Sequence, residues 1–325
     1  MKEKILGLLK TKKDFLSGQE ISEKLGVSRT TVWKAIRQLE NEGYVIKAVR
    51  NKGYSLVSEP DLLTDRQVKS CLKTSWAGSE LLVLDSIDST NNEAKRRAEA
   101  GAPHGLLVVA EEQTAGRGRR GRVWESEKGD GIFMTLVLKP DVEPGHASML
   151  TLVMAMAVQR ALQNTAHVNT AIKWPNDIIC DGKKMAGILT EMSAQVDCIN
   201  HIVIGVGINV HHASFPEPVD QTATSVFQQT GVHIRRAELI AEVMAQFERY
   251  YAVYLETENL QNLVDDYNRH LINCDRRVRV LDPKQEYEGT ALGINIAGEL
   301  LVKTDTGIVP VSAGEVSVRG VYGYV

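Results

Sequence analysis

The residues best suited to chemistry lie in one short stretch, 113–124, which reads Gln-Thr-Ala-Gly-Arg-Gly-Arg-Arg-Gly-Arg-Val-Trp. Four arginines and three glycines occur there, with apolar segments on both sides. Guanidinium groups bind phosphate or carboxylate oxygens through paired hydrogen bonds, and glycine lets the backbone approach a ligand closely. The stretch, which we call the arginine loop, therefore predicts a binding site for an anion.

Three other motifs compete for the same residues. The spacing Gly116-x-Gly118-x-x-Gly121 fits a dinucleotide fingerprint, but that motif must lead into a helix, and here loop-forming residues follow. A P-loop is excluded because no Gly-Lys-Ser/Thr follows. A solvated basic loop or a nucleic-acid patch stays open on composition alone, since arginine-rich runs are common.

A second polar cluster, Lys-Trp-Pro-Asn-Asp at 173–177, ends a predicted strand, 171–174. Sheets often place ligands at strand ends, although Asn and Asp are also common in simple turns. After a turn at Asp181-Gly182, Lys183 and Lys184 begin another strand. Because side chains alternate along a strand, only one of the two lysines can face the site.

Strands at 81–84, 106–111, 131–138 and 202–210 and helices at 65–73, 90–100, 146–163 and 235–271 are predicted to position these residues, with a break in the last helix near 257–259. Thr90 and Glu93 match a capping box, so Ser89 and Thr90 could be only helix caps. Short β-type runs at 278–281, 286–292, 300–303 and 316–319 predict a small barrel.

The first 60 residues differ in charge from the rest of the chain. They carry 12 Lys and Arg against 7 Asp and Glu, a balance of +5 in a chain of net charge −3. Helices at 2–10, 20–25 and 29–41, with the turn Gly26-Val27-Ser28, predict a helix-turn-helix. Strands at 44–49 and 54–57 around a basic turn predict its wing. The residues expected to contact DNA are Ser28, Arg29, Thr30, Thr31, Trp33, Lys34, Arg37, Arg50 and Lys52. A protein-interaction module is the alternative.

Composition bounds the class of protein. The 325 residues are 43% hydrophobic and 24% charged, as in soluble globular chains. The early charges argue against a signal peptide, and no apolar run is long enough to span a membrane, so we expect a cytoplasmic protein. Four scattered cysteines, with no metal-type spacing, are expected to be reduced packing residues.

Two motifs of the chain resemble those of a known family. The arginine loop closely resembles the signature loop of biotin protein ligases, and Lys-Trp-Pro-Asn-Asp-Ile at 173–178 matches that family's second motif. The order of the whole chain is similar to the bacterial bifunctional type, which joins a biotin ligase and a biotin operon repressor. This resemblance implies an α+β multidomain fold: a winged helix-turn-helix at 1–62, a central mixed β-sheet with flanking helices at 63–272, and an SH3-like β-barrel at 273–325.

The resemblance also implies a reaction in two steps. The biotin carboxylate attacks the α-phosphate of ATP, with Mg²⁺ bridging the phosphates, to give biotinyl-5′-adenylate and pyrophosphate. A lysine of the biotin carboxyl carrier protein then takes the acyl group. The adenylate is expected to act as corepressor at the operator DNA of biotin genes and to favour a homodimer.

Site residues are carried over by matching positions in the motifs. The residues expected to be catalytic are Lys184, Arg119 and Arg117. The family's lysine lies three residues before the glycine at 187, so the resemblance selects Lys184, and Lys183 is expected to face outward. Those expected to bind biotin are Ser89, Thr90, Asn91, Gln113, Gly116, Arg117, Gly118, Arg119, Lys184, Gly187, Ile188 and Gly205. Those expected to bind the nucleotide are Arg119, Arg120, Trp124, Lys173, Asn176, Asp177, Asn209, Arg235 and Arg319, within a C-terminal run, 314–319, that faces it. Asp177 is the one candidate for holding the metal.

Two other functions stay open. A ligand-sensing transcription factor without ligase activity would also carry a DNA module, but the intact pattern of Arg119 and Lys184 argues against it. A lipoate-type ligase shares the core fold, whereas the arginine loop together with Lys-Trp-Pro-Asn-Asp favours biotin.

Overall fold

The computed structural model describes residues 1–325 except 13, 42, 59, 196–197, 283–285, 314–316 and 321–325. The chain divides into two compact units, Met1–Leu62 and Leu63–Val325. The three domain ranges given above stay predictions. Among the described residues, no helix is both long and apolar enough to cross a membrane.

The first unit contains three helices and one hairpin. They are α1 (Lys2–Thr11), α2 (Gly18–Leu25), α3 (Arg29–Asn41), β1 (Val45–Val49) and β2 (Gly53–Ser58). A capping box starts α2, because the Ser17 hydroxyl and the Glu20 carboxylate each accept the other residue's backbone N–H. The apolar faces of the helices close over Ile5, Ile21 and Ile36, which are all buried.

A mixed seven-stranded sheet forms the centre of the second unit. Its strands are β3 (Leu81–Leu84), β4 (Leu107–Ala110), β5 (Gly131–Leu138), β6 (Ala171–Lys173), β7 (Asp177–Cys180), β8 (Lys183–Ala194) and β9 (Ile199–Asn209). They lie in the order β3-β4-β5-β9-β8-β7-β6, and only β3 and β4 pair in parallel.

Helices cover both faces of this sheet. They are α4 (Asp65–Cys71), α5 (Thr90–Glu99), α6 (Met149–Ala166), α7 (Val226–Thr230), α8 (Arg236–Leu255) and α9 (Val264–His270). Helices α6 and α8 pack on one face and α5 on the other. Strand β5 is therefore buried on both sides and reads as one continuous apolar run with a single threonine.

The last part of the chain is an antiparallel sheet. Its strands are β10 (Arg277–Leu281), β11 (Tyr287–Ile294), β12 (Leu300–Thr304), β13 (Gly307–Val311) and β14 (Ser317–Gly320). They lie in the order β13-β12-β11-β10-β14. Buried Val278, Ala291 and Leu300 join this sheet to the same core as the central one.

The capping box predicted for α5 is wrong. Ser89, rather than Thr90, is the N-cap residue, and its side chain makes no cap bond. The Glu93 carboxylate instead pairs with Arg96 at 2.8 Å and with Arg97 at 2.6 Å. Thr90 is thus left for contacts outside its own helix.

The expectation for the cysteines is partly wrong. All four are free, and Cys180 is buried while Cys71 and Cys274 are half-buried. Cys198, directly before β9, is exposed and therefore does not pack in the core.

Candidate active site

The start of α5 and the chain after β4 meet at a polar contact. The side-chain oxygen of Gln113 accepts the Thr90 N–H at 2.8 Å and lies 3.0 Å from the Thr90 hydroxyl. The Gln113 amide in turn donates to the Ser126 hydroxyl at 3.0 Å. Two segments that are far apart in sequence are thereby held as one polar wall.

The arginine loop folds back on itself instead of entering an α-helix. The Gly118 N–H donates to Arg122 O at 2.8 Å, and the Trp124 N–H donates to Gly116 O at 3.0 Å. Between them lies one 3-10 turn, Arg119–Gly121. The interpretation as a dinucleotide fingerprint therefore fails, because the helix that would hold the pyrophosphate does not follow.

Arg119 is the most buried of the four arginines in this loop. Its guanidinium donates to Asn176 Oδ1 at 3.0 Å and to Ala313 O at 2.7 Å, so it joins the arginine loop to the Lys-Trp-Pro-Asn-Asp motif and to the C-terminal sheet. Burial lowers the pKa of Arg119. A desolvated cation at this position favours an anionic ligand.

Lys183 and Lys184 have different surroundings, as alternation along β8 requires. Lys184 Nζ lies 2.6 Å from an Asp177 carboxylate oxygen and 5.2 Å from the centre of the Trp124 ring. Lys183 Nζ donates instead to Asp220 O at 2.7 Å. Only Lys184 lines a cavity of those described.

Two glycines of β9 permit close approach to this site. A Cβ at Gly205 would lie 2.1 Å from Asn91 Oδ1, and a Cβ at Gly207 would lie 2.6 Å from the Trp124 ring. Side chains at these positions would displace the residues that form the walls.

A first cavity of about 50 Å³ lies over these glycines. Its lining is drawn from the start of α5, the arginine loop, the segment between β6 and β7, and strands β8 and β9: Ser89, Thr90, Asn91, Gln113, Arg117, Gly118, Arg119, Trp124, Asn176, Lys184, Gly187, Ile188, Leu189, Gly205, Val206 and Gly207. Small-molecule sites usually enclose about 300 Å³ or more. The Trp124 ring fills part of this space, and its Nε1 is buried with no hydrogen-bond partner.

A second cavity of about 680 Å³ adjoins the first. It is lined by Arg120, Asp177 and Asn209, among others. The two cavities share five residues, which are Gly118, Arg119, Trp124, Asn176 and Lys184. The two cationic side chains that line both cavities, Arg119 and Lys184, therefore lie where a ligand in one cavity would meet a ligand in the other.

The segment after β9 forms a wall that sequence reasoning missed. His212 and Phe215 stack with ring centres 4.9 Å apart, and both line the second cavity with Val219. Burial lowers the pKa of His212, whose Nδ1 has no hydrogen-bond partner. The signal in the sequence was a run of loop residues with Pro216 and Pro218 directly after a buried strand.

A third, smaller cavity of about 30 Å³ is lined by Lys173, Arg319 and Arg122, together with Arg119, Asn176 and Asp177. Lys173 is only 4% exposed, and its pKa is lowered to about 8, chiefly by burial. Nearby Lys184, Arg319 and Arg122 contribute to this lowering, while Asp177 opposes it. Several cations are thus held close together.

Three protein-family models match successive parts of the chain. The model described as HTH domain matches residues 2–55, that of the Biotin/lipoate A/B protein ligase family matches 83–209, and that of the Biotin protein ligase C terminal domain matches 274–319. The bifunctional ligase/repressor BirA of Bacillus spizizenii is 41% identical over 305 residues, which cover 93% of this chain and 94% of that protein. The chain belongs to the bifunctional ligase/repressor family.

Other members of this ligase/repressor family and one solved ligase agree. BirA of Escherichia coli is 31% identical over 306 residues, which cover 94% of each chain. The structure of the biotin protein ligase from Aquifex aeolicus in complex with biotin and ATP has a TM-score of 0.66 and 28% identity, and covers 74% of this chain and 99% of that one. The protein is therefore a biotin protein ligase with a DNA-binding repressor module, and the predicted fold class is confirmed.

Most residues assigned to the ligase site lie together. All the residues expected to bind biotin line the first cavity except Gly116, which supports the loop through Trp124. Arg235 lies apart, since its exposed guanidinium pairs with Glu238 at 3.2 Å. Of the run 314–319, residues Gly314, Glu315 and Val316 lie outside the described part of the chain. The individual roles stay predictions.

The repressor module exposes basic residues on α3 and at the turn of its hairpin. Arg29, Thr30, Trp33, Lys34 and Arg37 are exposed on α3 and Thr31 is half-buried. The Ser28 hydroxyl caps α3 by accepting the Thr31 N–H at 3.1 Å. Arg37 lies 5.6 Å from the centre of the Trp33 ring and also pairs with Glu40 at 3.1 Å. Arg50 and Lys52 are exposed at the turn between β1 and β2.

Proposed function

We propose that this ligase joins biotin to ATP at the boundary between its two larger cavities. The observation that carries the proposal is the shared lining, because Arg119 and Lys184 belong to both cavities. The biotin carboxylate and the α-phosphate of ATP must come together for reaction, and both carry negative charge. Two cations at the meeting point offset that repulsion.

In the first step, a biotin carboxylate oxygen forms a bond to the α-phosphorus while the bond to the bridging oxygen of pyrophosphate breaks. Arg119 and Lys184 stabilise the charge that builds up on the phosphoryl oxygens, with Arg117 on the carboxylate side. No covalent bond to the enzyme is needed. The product, biotinyl-5′-adenylate, is a mixed anhydride whose acyl carbon an amine can attack.

In the second step, a neutral lysine amine of the biotin carboxyl carrier protein attacks that acyl carbon, AMP leaves with the electron pair of the broken bond, and the nitrogen releases a proton to solvent. The protein partner is proposed from the chemistry of the family, with the C-terminal sheet beside Arg119 as part of the approach. We place both steps in the cytoplasm.

Magnesium is proposed to arrive with ATP. Among the described residues, no group of three or more His, Cys, Asp or Glu side chains could hold a metal ion. Mg²⁺ does not need such a group, since it commonly keeps several of its waters and binds phosphates together with one or two carboxylates. Asp177 is the residue that would hold it, and the metal would offset phosphate charge; Asp177 also orients Lys184.

The repressor part of the proposal is that biotinyl-5′-adenylate promotes a homodimer which binds the operator of biotin genes. A single winged module buries little DNA surface, and repressors of this kind pair two half-sites. The exposed basic residues of α3 and of the wing turn support this proposal.

Biotin-dependent exchange of labelled pyrophosphate into ATP tests the chemistry. We expect exchange only when biotin is present, followed by labelling of the carrier-protein lysine. Exchange that is absent while biotin and ATP both bind would favour the sensor without ligase activity. Exchange supported by lipoate and not by biotin would favour the lipoate-type ligase.

A further inference from the structure

A buried ion pair lies at the base of the arginine loop. Arg236 is fully buried, and its partner Glu111 is only 5% exposed. Arg236 is also the first residue of α8, where a cation opposes the helix dipole, so helix formation does not explain its presence. A buried ion pair is often no more stabilising than well-packed apolar residues in its place. The pair is therefore best explained by the directional hydrogen bonds that it makes.

The Arg236 guanidinium joins two segments of the chain. Its Nη1 and Nη2 donate to the two oxygens of the Glu111 carboxylate at 2.9 Å and 3.1 Å. Nη1 also donates to Gly131 O at 2.9 Å. The Glu111 carboxylate accepts the Leu63 N–H at 2.6 Å as well. One side chain thus fixes Glu111 and Gly131 relative to each other.

Glu111 and Gly131 are the residues at which the connection that contains the arginine loop leaves the sheet. Pairing between β4 and β5 ends at Ala110 and Phe133. The chain after Glu111 then bonds to the segment that precedes α5, while Gly131 is the first residue of β5. Arg236 therefore ties the two roots of the connection 112–130 where the two strands separate.

Fixed roots matter because the loop between them has to move. Trp124 fills part of the first cavity, so the loop must open to admit a ligand and then return over it. Arg117 and Arg119 lie in this loop and have to reach the same positions after each opening. A long loop with tied ends has fewer conformations than one with free ends, so it closes more often in the productive arrangement.

We propose that Arg236 is a positioning residue that holds the two roots of the arginine loop and thereby retains the adenylate in the site. This role rests on the proposed function, in which the loop covers biotinyl-5′-adenylate. Arg236 lines none of the three cavities described above, so its effect passes through the loop. When the roots are loosened, the closed loop should open more often and the adenylate should leave faster.

The test measures how long the adenylate stays bound to the full-length protein. The adenylate is formed from biotin and ATP labelled at the α-phosphate, with pyrophosphatase present, and excess unlabelled biotin and ATP are then added. The label that remains on the protein is followed with time. Arg236→Met removes the guanidinium and keeps a long apolar side chain. We expect this variant to lose the label at least about 10-fold faster than the wild type.

Glu248→Ala is the matched control for a loss of stability. Glu248 lies on the same helix, α8, and its carboxylate accepts the backbone N–H groups of Ser75, Trp76 and Ala77 at 3.0, 2.6 and 2.8 Å. None of these residues lines a cavity described above. Both variants should unfold at a lower temperature than the wild type. At a temperature where both are folded, only Arg236→Met should lose the label faster.

If Arg236→Met does not fold, the double variant Glu111→Leu with Arg236→Met takes its place, because it leaves no unpaired charge in the core. It should also lose the label faster than the wild type. A rate that is unchanged in the folded Arg236 variant, or that rises equally in Glu248→Ala, would overturn the role of Arg236. A wild type that forms no adenylate would overturn the proposed function, and this role with it.

Discussion

Lys184 and Lys183 are adjacent residues with unequal expected roles. Lys184→Ala should slow adenylate formation by two or more powers of ten, about 3 kcal/mol, because a positioned cation is removed from the charge that develops at the α-phosphate. Lys183→Ala is the matched control and should have a much smaller effect, since its ammonium donates to Asp220 O and lines none of the cavities described above. Single-turnover formation of biotinyl-5′-adenylate measures both. The reverse order of effects would show that Lys183 is the catalytic residue.

The lowered pKa of Lys173 predicts that the binding of ATP with biotin is linked to proton uptake. Burial lowers its pKa to about 8, so near pH 8 about half of these lysines are neutral. Phosphate oxygens nearby favour the charged form and raise the pKa, so the binding of ATP with biotin should take up protons at pH 8 and fewer at pH 6.5, where Lys173 is already charged.

Calorimetry in two buffers of different ionisation enthalpy measures this uptake. Lys173→Arg should bind without the uptake, because arginine stays charged at both pH values. Equal uptake by the wild type and Lys173→Arg would assign the proton to another group.

Residue types at strand ends carried most of the sequence's information about the site. The arginine loop stood out because charges and glycines lay between apolar strands, whereas the resemblance to biotin protein ligases was needed to choose Lys184 over Lys183. His212 could not be found from residue types along the chain, since its burial depends on the fold of a loop.

Among the elements, the arginine loop has to change shape. Trp124 occupies space over Gly187 and Gly207, and the remaining volume of about 50 Å³ is far below the roughly 300 Å³ of a usual ligand site. Its buried Nε1 without a partner is a cost that leaving this position would relieve.

Biotin with ATP should therefore change the fluorescence of Trp124. The difference between the wild type and Trp124→Phe isolates its signal from the three other tryptophans. A spectrum of Trp124 that stays the same at saturating ligand would contradict this displacement.

Helices and strands were predicted correctly where the pattern of apolar residues was long. Strand β5 and helix α8 were recognised from extended apolar runs. The break predicted near 257–259 follows the observed end of α8 at Leu255. Strand β7, Asp177–Cys180, was missed. It is short, and its Asn-Asp start was also typical of a turn, so only its pairing with β6 and β8 identifies it.

On the scale of the whole molecule, the chain forms two compact units with a boundary after Leu62, and we expect DNA binding in the first and ligase chemistry in the second. Removing residues 1–62 should abolish operator binding and keep at least part of the ligase activity, because every cavity residue follows Leu84. The Leu63 N–H donates at 2.6 Å to Glu111, whose carboxylate also pairs with the buried Arg236.

Removing only residues 1–60 keeps that amide bond and is the matched control. Its ligase activity should equal or exceed that of the shorter chain. Loss of adenylate formation in both would show that the first unit takes part in the chemistry.

The central claim is that the product of the ligase reaction controls binding to DNA. Operator binding and mass by light scattering should be measured on the full-length protein with biotin and ATP, and again with biotin and ATP whose α,β-bridging oxygen is replaced by a methylene group. That analogue fills the nucleotide cavity but cannot release pyrophosphate. We predict a homodimer that binds the operator tightly only with biotin and ATP. A monomer that binds the operator equally tightly under both conditions would contradict the claim.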